Sequence, residues 1–172
     1  MRDRPDKDEY AGHFSDYIEL VPDGDILHLL ERQQREMVSL LDELTEEQGY
    51  YRYAPDKWCL KEVIGHVTDN ERIMSYRLLR IARGDTTPLP GYNQDVLVPG
   101  GNFDLFQLPQ LVEDYIAVRK ATLTLLRGLT DEAWLRTGTA SEHSISARAL
   151  AYVIAGHELH HMRIIRERYL ND

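Results

Sequence analysis

ISARALAYVIAGHELHHMRIIRERYL, residues 145–170, repeats apolar side chains three and four apart, the pattern of a helix with one buried face. With about 100° per residue and His157 set at zero, Leu150 falls at about 20°, Val153 at about −40°, Ile154 at about 60° and Ile164 at about −20°. His161 falls at about 40°, so His157 and His161 sit one turn apart in the middle of the apolar face. His160, at about −60°, and Glu158, at about 100°, lie on its two flanks. A helix cap is expected at Ser144 or Ser146.

Three other stretches share this period. ILHLLERQQREMVSLLDEL (26–44) is predicted as the first long helix, capped by Asp23 or Asp25. CLKEVIGHVTDNERIMSYRLLRIARG (59–84) is the second, closed by Gly84. PQLVEDYIAVRKATLTLLRGL (109–129) is the third, with Pro109 in its first turn. TDEAWL (130–135) reads as a short turn of helix and RTGTASEHS (136–144) as loop. No strand pair is expected. Residues 85–108 carry three prolines and three glycines without a period, so a long loop is expected between helices two and three. A loop of that length either packs over one end of the bundle or acts as an active-site lid. Its Tyr92, Phe103 and Phe106 would wall a pocket or seal the core. Residues 1–12 are polar and expected to be loosely ordered. The fold class is therefore all-α, a four-helix bundle forming a single domain over 1–172, whose ligand sites come from side chains on facing helices.

A chain of 172 residues buries roughly 70% of the surface its unfolded form exposes, enough for a core. Its formal charge of −9, from 20 basic and 29 acidic residues, argues against nucleic acid or an anionic membrane as partner. No apolar run is long enough to span a bilayer, and the charged opening MRDRPDKDEY is unlike a signal peptide. The single cysteine, Cys59, rules out an internal disulfide and fits a cytoplasmic location.

Two histidines in the middle of a core face are either core residues with polar neighbours or ligands of one ion. A divalent cation needs a third ligand from elsewhere. On helix two, His66, Asn70 and Arg77 form a polar strip along the inner edge of the apolar face. That strip is either solvated surface or the source of the third imidazole. A glycine precedes His66 and His157 alike, which would let another segment or a substrate come close. The letters HELHH also spell H-E-x-x-H, the zinc-protease signature. Only eleven residues follow His161, with no histidine and with Glu167 on the same helix, so a metalloprotease is the weakest reading.

WCLKEVIGHVTDNERIMSYRLLRIARGD, then PLPGY, then DYIAVRKATLTLLRGLTDEAW, then SARALAYVIAGHELHHMRII resembles the DinB-like superfamily, and within it the YfiT-type metal-dependent hydrolases and thiol S-transferases. The likeness runs from about Asp25 to Arg166. It implies a four-helix bundle carrying a divalent metal, zinc or nickel, on His66, His157 and His161. It also implies a small-molecule substrate, a homodimer and, in some relatives, a low-molecular-weight thiol as co-reactant. Cys59 departs from the pattern, since relatives often have a capping serine or threonine there. It is read as a small packed residue ahead of a metal ligand.

Three neutral imidazoles leave a cation its full charge and an open position, the arrangement of a catalytic site. Water or a thiol held there would be activated for hydrolysis or thiol transfer. Asn70 is the candidate for orienting that group, with Asp69, Glu71 and Arg77 as candidates for proton transfer or substrate anchoring. The alternative is a non-catalytic metal- or ligand-binding bundle.

Overall fold

In the computed structural model, which describes residues 3–170, the chain enters through a single 3-10 turn and a short helix, α1 (Gly12–Ile18). Arg4 donates to the carbonyl of Ile18 at 2.9 Å and also reaches that of Val21. Glu9 accepts from Ser146 and pairs with Arg148. Arg4 and Glu9, in the stretch 1–12 expected to be loosely ordered, thus hold these contacts, while residues 1–2 lie outside the described residues. Asp25 then caps α2 (Ile26–Asp42) through the N–H groups of Leu27 and His28. A one-turn helix, α3 (Glu46–Gly49), leads to α4 (Leu60–Ala82), which Gly84 ends in the left-handed region at φ 85°.

Residues 85–108 are not the unstructured loop expected. They contain α5 (Gln94–Gly101), capped by Asn93, and a 3-10 turn at Phe103–Leu105. Pro99 and two glycines in so short a helix hide its period, and α5 is held by packing on α4 rather than by propensity. The chain continues as α6 (Leu108–Arg127) and α7 (Asp131–Leu135).

Thr137–Ala140 (β1) and His143–Ser146 (β2) pair antiparallel, where only loop was expected. Ser141 and Glu142, at φ 50° and 70°, form the two-residue turn. Such turns normally advertise themselves with Asn-Gly or Asp-Gly, and Ser-Glu does not. Leu89 extends the edge by donating to Thr139 O and accepting from Ser141 N. Ser146 ends β2 and caps α8 (Ala147–Ile164), after which Ile165–Leu170 continue as a π-helical segment.

The long helices α2, α4, α6 and α8 form the bundle: α4 packs on α8 and α6, α2 on α6 and α8, and α1 lies along α8. Their buried apolar residues separate into two clusters. One gathers Ile18, Leu30, Met74, Leu78, Leu126 and Ala155; the other gathers Met37, Leu41, Val63, Val67, Tyr115 and Met162. Between them, each long helix contributes a buried polar side chain: Gln33 from α2, Asn70 and Glu71 from α4, Arg119 from α6, His157 and Glu158 from α8. A polar layer crosses a largely apolar bundle. None of the described helices is long and apolar enough to cross a membrane.

Candidate metal centre

His66 reaches this layer from α4 because it lies one residue before Val67 on the buried side of the helix; it is 3% exposed. His157 and His161 reach it from α8, one turn apart. His66 Nε2 and His157 Nε2 are 3.1 Å apart. Ring centroids lie 4.9 Å apart for His66–His157 and His66–His161, and 4.5 Å for His157–His161. One nitrogen of each falls within 4.8 Å of the others, and these three residues form the one such His/Cys/Asp/Glu cluster found among the described residues. Two nitrogens bound to one ion at about 2.0–2.1 Å would be separated by roughly 3.0–3.4 Å. The donor set fits a divalent cation. His161 Nδ1 is buried with no hydrogen-bond partner, the kind of unsatisfied atom that a native core rarely keeps without reason.

Burial holds all three rings neutral. It drops His66 to about 4, with the charge of Asp95 pulling weakly the other way. It drops His161 to about 3, helped by His66 and His160. His157 is pushed well below the usual imidazole range, by burial first and then by the neighbouring histidines. A neutral imidazole is the metal-binding form, so no proton has to leave before an ion is taken up at neutral pH.

Aromatic side chains wall the cluster. Trp58, just before α4, places its ring 4.9 Å from His66. Tyr17 of α1 meets His157 edge-on at 5.3 Å and His160 at 5.8 Å. The two glycines that precede histidines are both occupied by other parts of the chain. A Cβ on Gly156 would lie 1.9 Å from the backbone oxygen of Tyr17, and one on Gly65 would lie 2.3 Å from the ring of Phe103. The close approach expected at these positions is made by protein. His161 faces a cleft of about 290 Å³ lined also by Tyr53, Trp58, Gln94, Asp95 and Tyr169.

The other candidates go different ways. Asn70 is buried and donates its amide to the Tyr92 hydroxyl. Arg77 donates to Pro90 O at 2.6 Å and lies against the Tyr92 ring, fastening the segment after α4. Asp69 pairs with Arg72 and faces a groove with Phe103, Phe106 and Asp114 rather than the histidines. Glu71 is sealed away: both of its oxygens accept from Arg119, which also pairs with Glu158 and donates to Leu30 O. Proton transfer or substrate anchoring by Glu71 is therefore not supported by its surroundings. Glu158, the glutamate of the protease signature, accepts from Tyr115 and Arg119 and is 1% exposed. It has no path to a reacting group, and the signature is coincidental. Phe103 seals the core and Phe106 is exposed. Cys59 is buried at the start of α4, outside the histidine cluster, with its thiol raised by burial. Sequence reasoning missed Trp58, Tyr17, Arg119 and Asp95. Only Trp58 had a signal, its place at the head of the helix-two motif.

A family model for the DinB superfamily matches residues 29–165, and the chain belongs to that superfamily. Its fold is similar to that of YfiT from Bacillus subtilis, described as a probable metal-dependent hydrolase with an unusual four-helix bundle topology. The TM-score is 0.76 at 16% identity, covering 97% of this chain and 91% of that one. It is also similar to the mycothiol-dependent maleylpyruvate isomerase, with a TM-score of 0.67 at 14% identity, over 84% of this chain and 61% of that one. No curated protein sequence matches the chain.

Proposed function

We propose that this member of the DinB superfamily binds a divalent cation through His66, His157 and His161 and acts on a small electrophilic substrate, as a hydrolase or a thiol transferase. One observation carries the reading. Three neutral imidazoles from two helices gather within 4.8 Å, two of them at the nitrogen–nitrogen spacing of a shared ion, beside an open cleft. Zinc and nickel both accept imidazole ligands, and neither needs a cysteine or carboxylate here. When bound, such a cation supplies Lewis acidity, lowering the pKa of water or of a low-molecular-weight thiol held at its open position.

The chain's own residues do the remaining work. Trp58 and Tyr17 fix the outer edges of His66 and His157 and keep solvent off their flanks. Asn70 and Tyr92 form a hydrogen-bonded pair one turn along α4 from His66, able to orient a bound group. The descriptions of the two fold neighbours, one a probable metal-dependent hydrolase and one a mycothiol-dependent isomerase, support the two branches of the reading.

Elemental analysis of protein purified without a histidine tag tests the premise. About one divalent ion per chain is expected, and a folded, metal-free protein that takes up no added zinc or nickel would end the reading. Screening electrophiles with and without thiols then separates the two branches: turnover that needs the thiol selects transfer, and turnover without it selects hydrolysis.

A further inference from the structure

The cleft beside His161 has mainly apolar and aromatic walls: Tyr53, Trp58, Val63, Ile164 and Tyr169. Tyr53 and Tyr169 meet edge-on at 5.2 Å, and the Tyr169 hydroxyl donates to the Trp58 carbonyl at 2.6 Å, so these walls are braced. Three charged groups share the cleft. Lys57 and Asp56 are paired with each other at 3.0 Å and largely cancel. Asp95, in the first turn of α5, is different. Among the described residues nothing forms an ion pair or hydrogen bond with its carboxylate, although its backbone N–H is held by Asn93. It lines the same cleft as His161.

From this placement we infer that Asp95 is a specificity-determining residue of the histidine cleft, favouring neutral or cationic ligands that bring a hydrogen to donate and disfavouring anionic ones. The inference rests on the metal reading above. A negative charge beside the open face of a cation offsets part of the attraction that an incoming anion feels, and water around the exposed Asp95 carboxylate screens the effect without abolishing it. The same carboxylate accepts a hydrogen bond from a thiol, alcohol, amine or azole presented to that face. The substrate class that follows is small, apolar or aromatic, and uncharged or positive at the end that reaches the histidines.

Cobalt(II) provides a readout independent of turnover, because its visible absorption changes when a ligand enters its coordination sphere. Cobalt-loaded wild type, Asp95→Asn, Asp95→Glu and Asp131→Asn would each be titrated with azide and with imidazole. Asp131, an exposed acid opening α7 among residues of the other apolar cluster, controls for the change in net charge. Azide should bind roughly tenfold more tightly to Asp95→Asn than to wild type, while Asp95→Glu and Asp131→Asn stay near wild type. Imidazole should bind no better to Asp95→Asn. Cobalt bound normally with unchanged azide affinity in Asp95→Asn, or an equal gain in Asp131→Asn, would overturn the role of Asp95 alone. Failure of the wild type to bind cobalt would overturn the metal reading and this inference with it.

Discussion

His157 and Glu158 are neighbours in the chain, both buried in the same polar layer, yet their surroundings differ in kind. Glu158 belongs to a closed set. Arg119 bridges it to Glu71, Tyr115 donates to it, and a spare N–H of Arg119 reaches Leu30 O, so residues from all four long helices are tied together. Burial opposes the charge on Arg119, but Glu158 and Glu71 more than offset it and the guanidinium stays ionised. His157 belongs to an open set. Its nearest polar partner is another imidazole, and His161 keeps a buried nitrogen without a partner. Buried polar groups that satisfy one another hold a fold together; groups left with lone pairs facing each other beside a cleft are suited to holding something else.

The largest test of this contrast removes the hub of the closed set. Arg119→Met leaves two carboxylates buried without a counter-charge and should cost about 3–5 kcal/mol in urea unfolding. Replacing Arg119, Glu71 and Glu158 together by apolar residues should recover most of that loss, as expected for a cluster whose charges mainly offset their own desolvation. A single Arg119→Met that left stability unchanged would break the comparison at its structural end.

The open set should respond to metal instead. Stripping the ion with a chelator should lower stability by about 2.7 kcal/mol relative to protein kept at a hundredfold excess over Kd. His161→Ala should abolish this difference and His160→Ala should preserve it, both read by elemental analysis and thermal melting. Equal loss in both variants would show that the open set has been misassigned.

Gly156→Ala probes the helix that serves both sets. Its Cβ would collide with the backbone of Tyr17, so α1 must move, at a cost of about 1–3 kcal/mol. Gly65→Ala meets only the ring of Phe103, which can turn aside, and should cost less by the same urea measurement.

The smallest effect per side chain is that of pH on metal-free protein. His66 and His161 titrate near 4 and 3 when folded, below their unfolded value of 6.5, so the unfolded chain takes up protons first as pH falls. Stability is then full above pH 6.5 and is lost progressively below it. The drop should be roughly 1 kcal/mol per ring between pH 7.5 and 6. Stability that rose over this interval would contradict neutral, buried imidazoles.

Much of this could be read from the sequence. The four long helices, the caps at Asp25 and Ser146, and the inward placing of His157 and His161 were legible because each is local to one helix, whereas His66 as their partner followed from the family resemblance. What could not be read depends on partners from elsewhere in the chain. Glu71 lies on α4 beside candidates that face other ways, and nothing on α4 announces that Arg119 of α6 will take both of its oxygens. The hairpin has polar strands and a turn without glycine, and α5 interrupts its own pattern with Pro99. Asp95 was invisible for that reason: it sits on a helix that only packing against α4 makes a helix.

The seating of Tyr17 on Gly156 has a consequence for any shortened form of this protein. Removing residues before Asp25 would leave the long helices in place but strip Phe14, Ile18 and the tyrosine from the back of α8. Solvent would then reach His157, now buried, from that side. The amino-terminal arm thus covers His157 on one side, and trimming it should open a second approach to the histidine cluster.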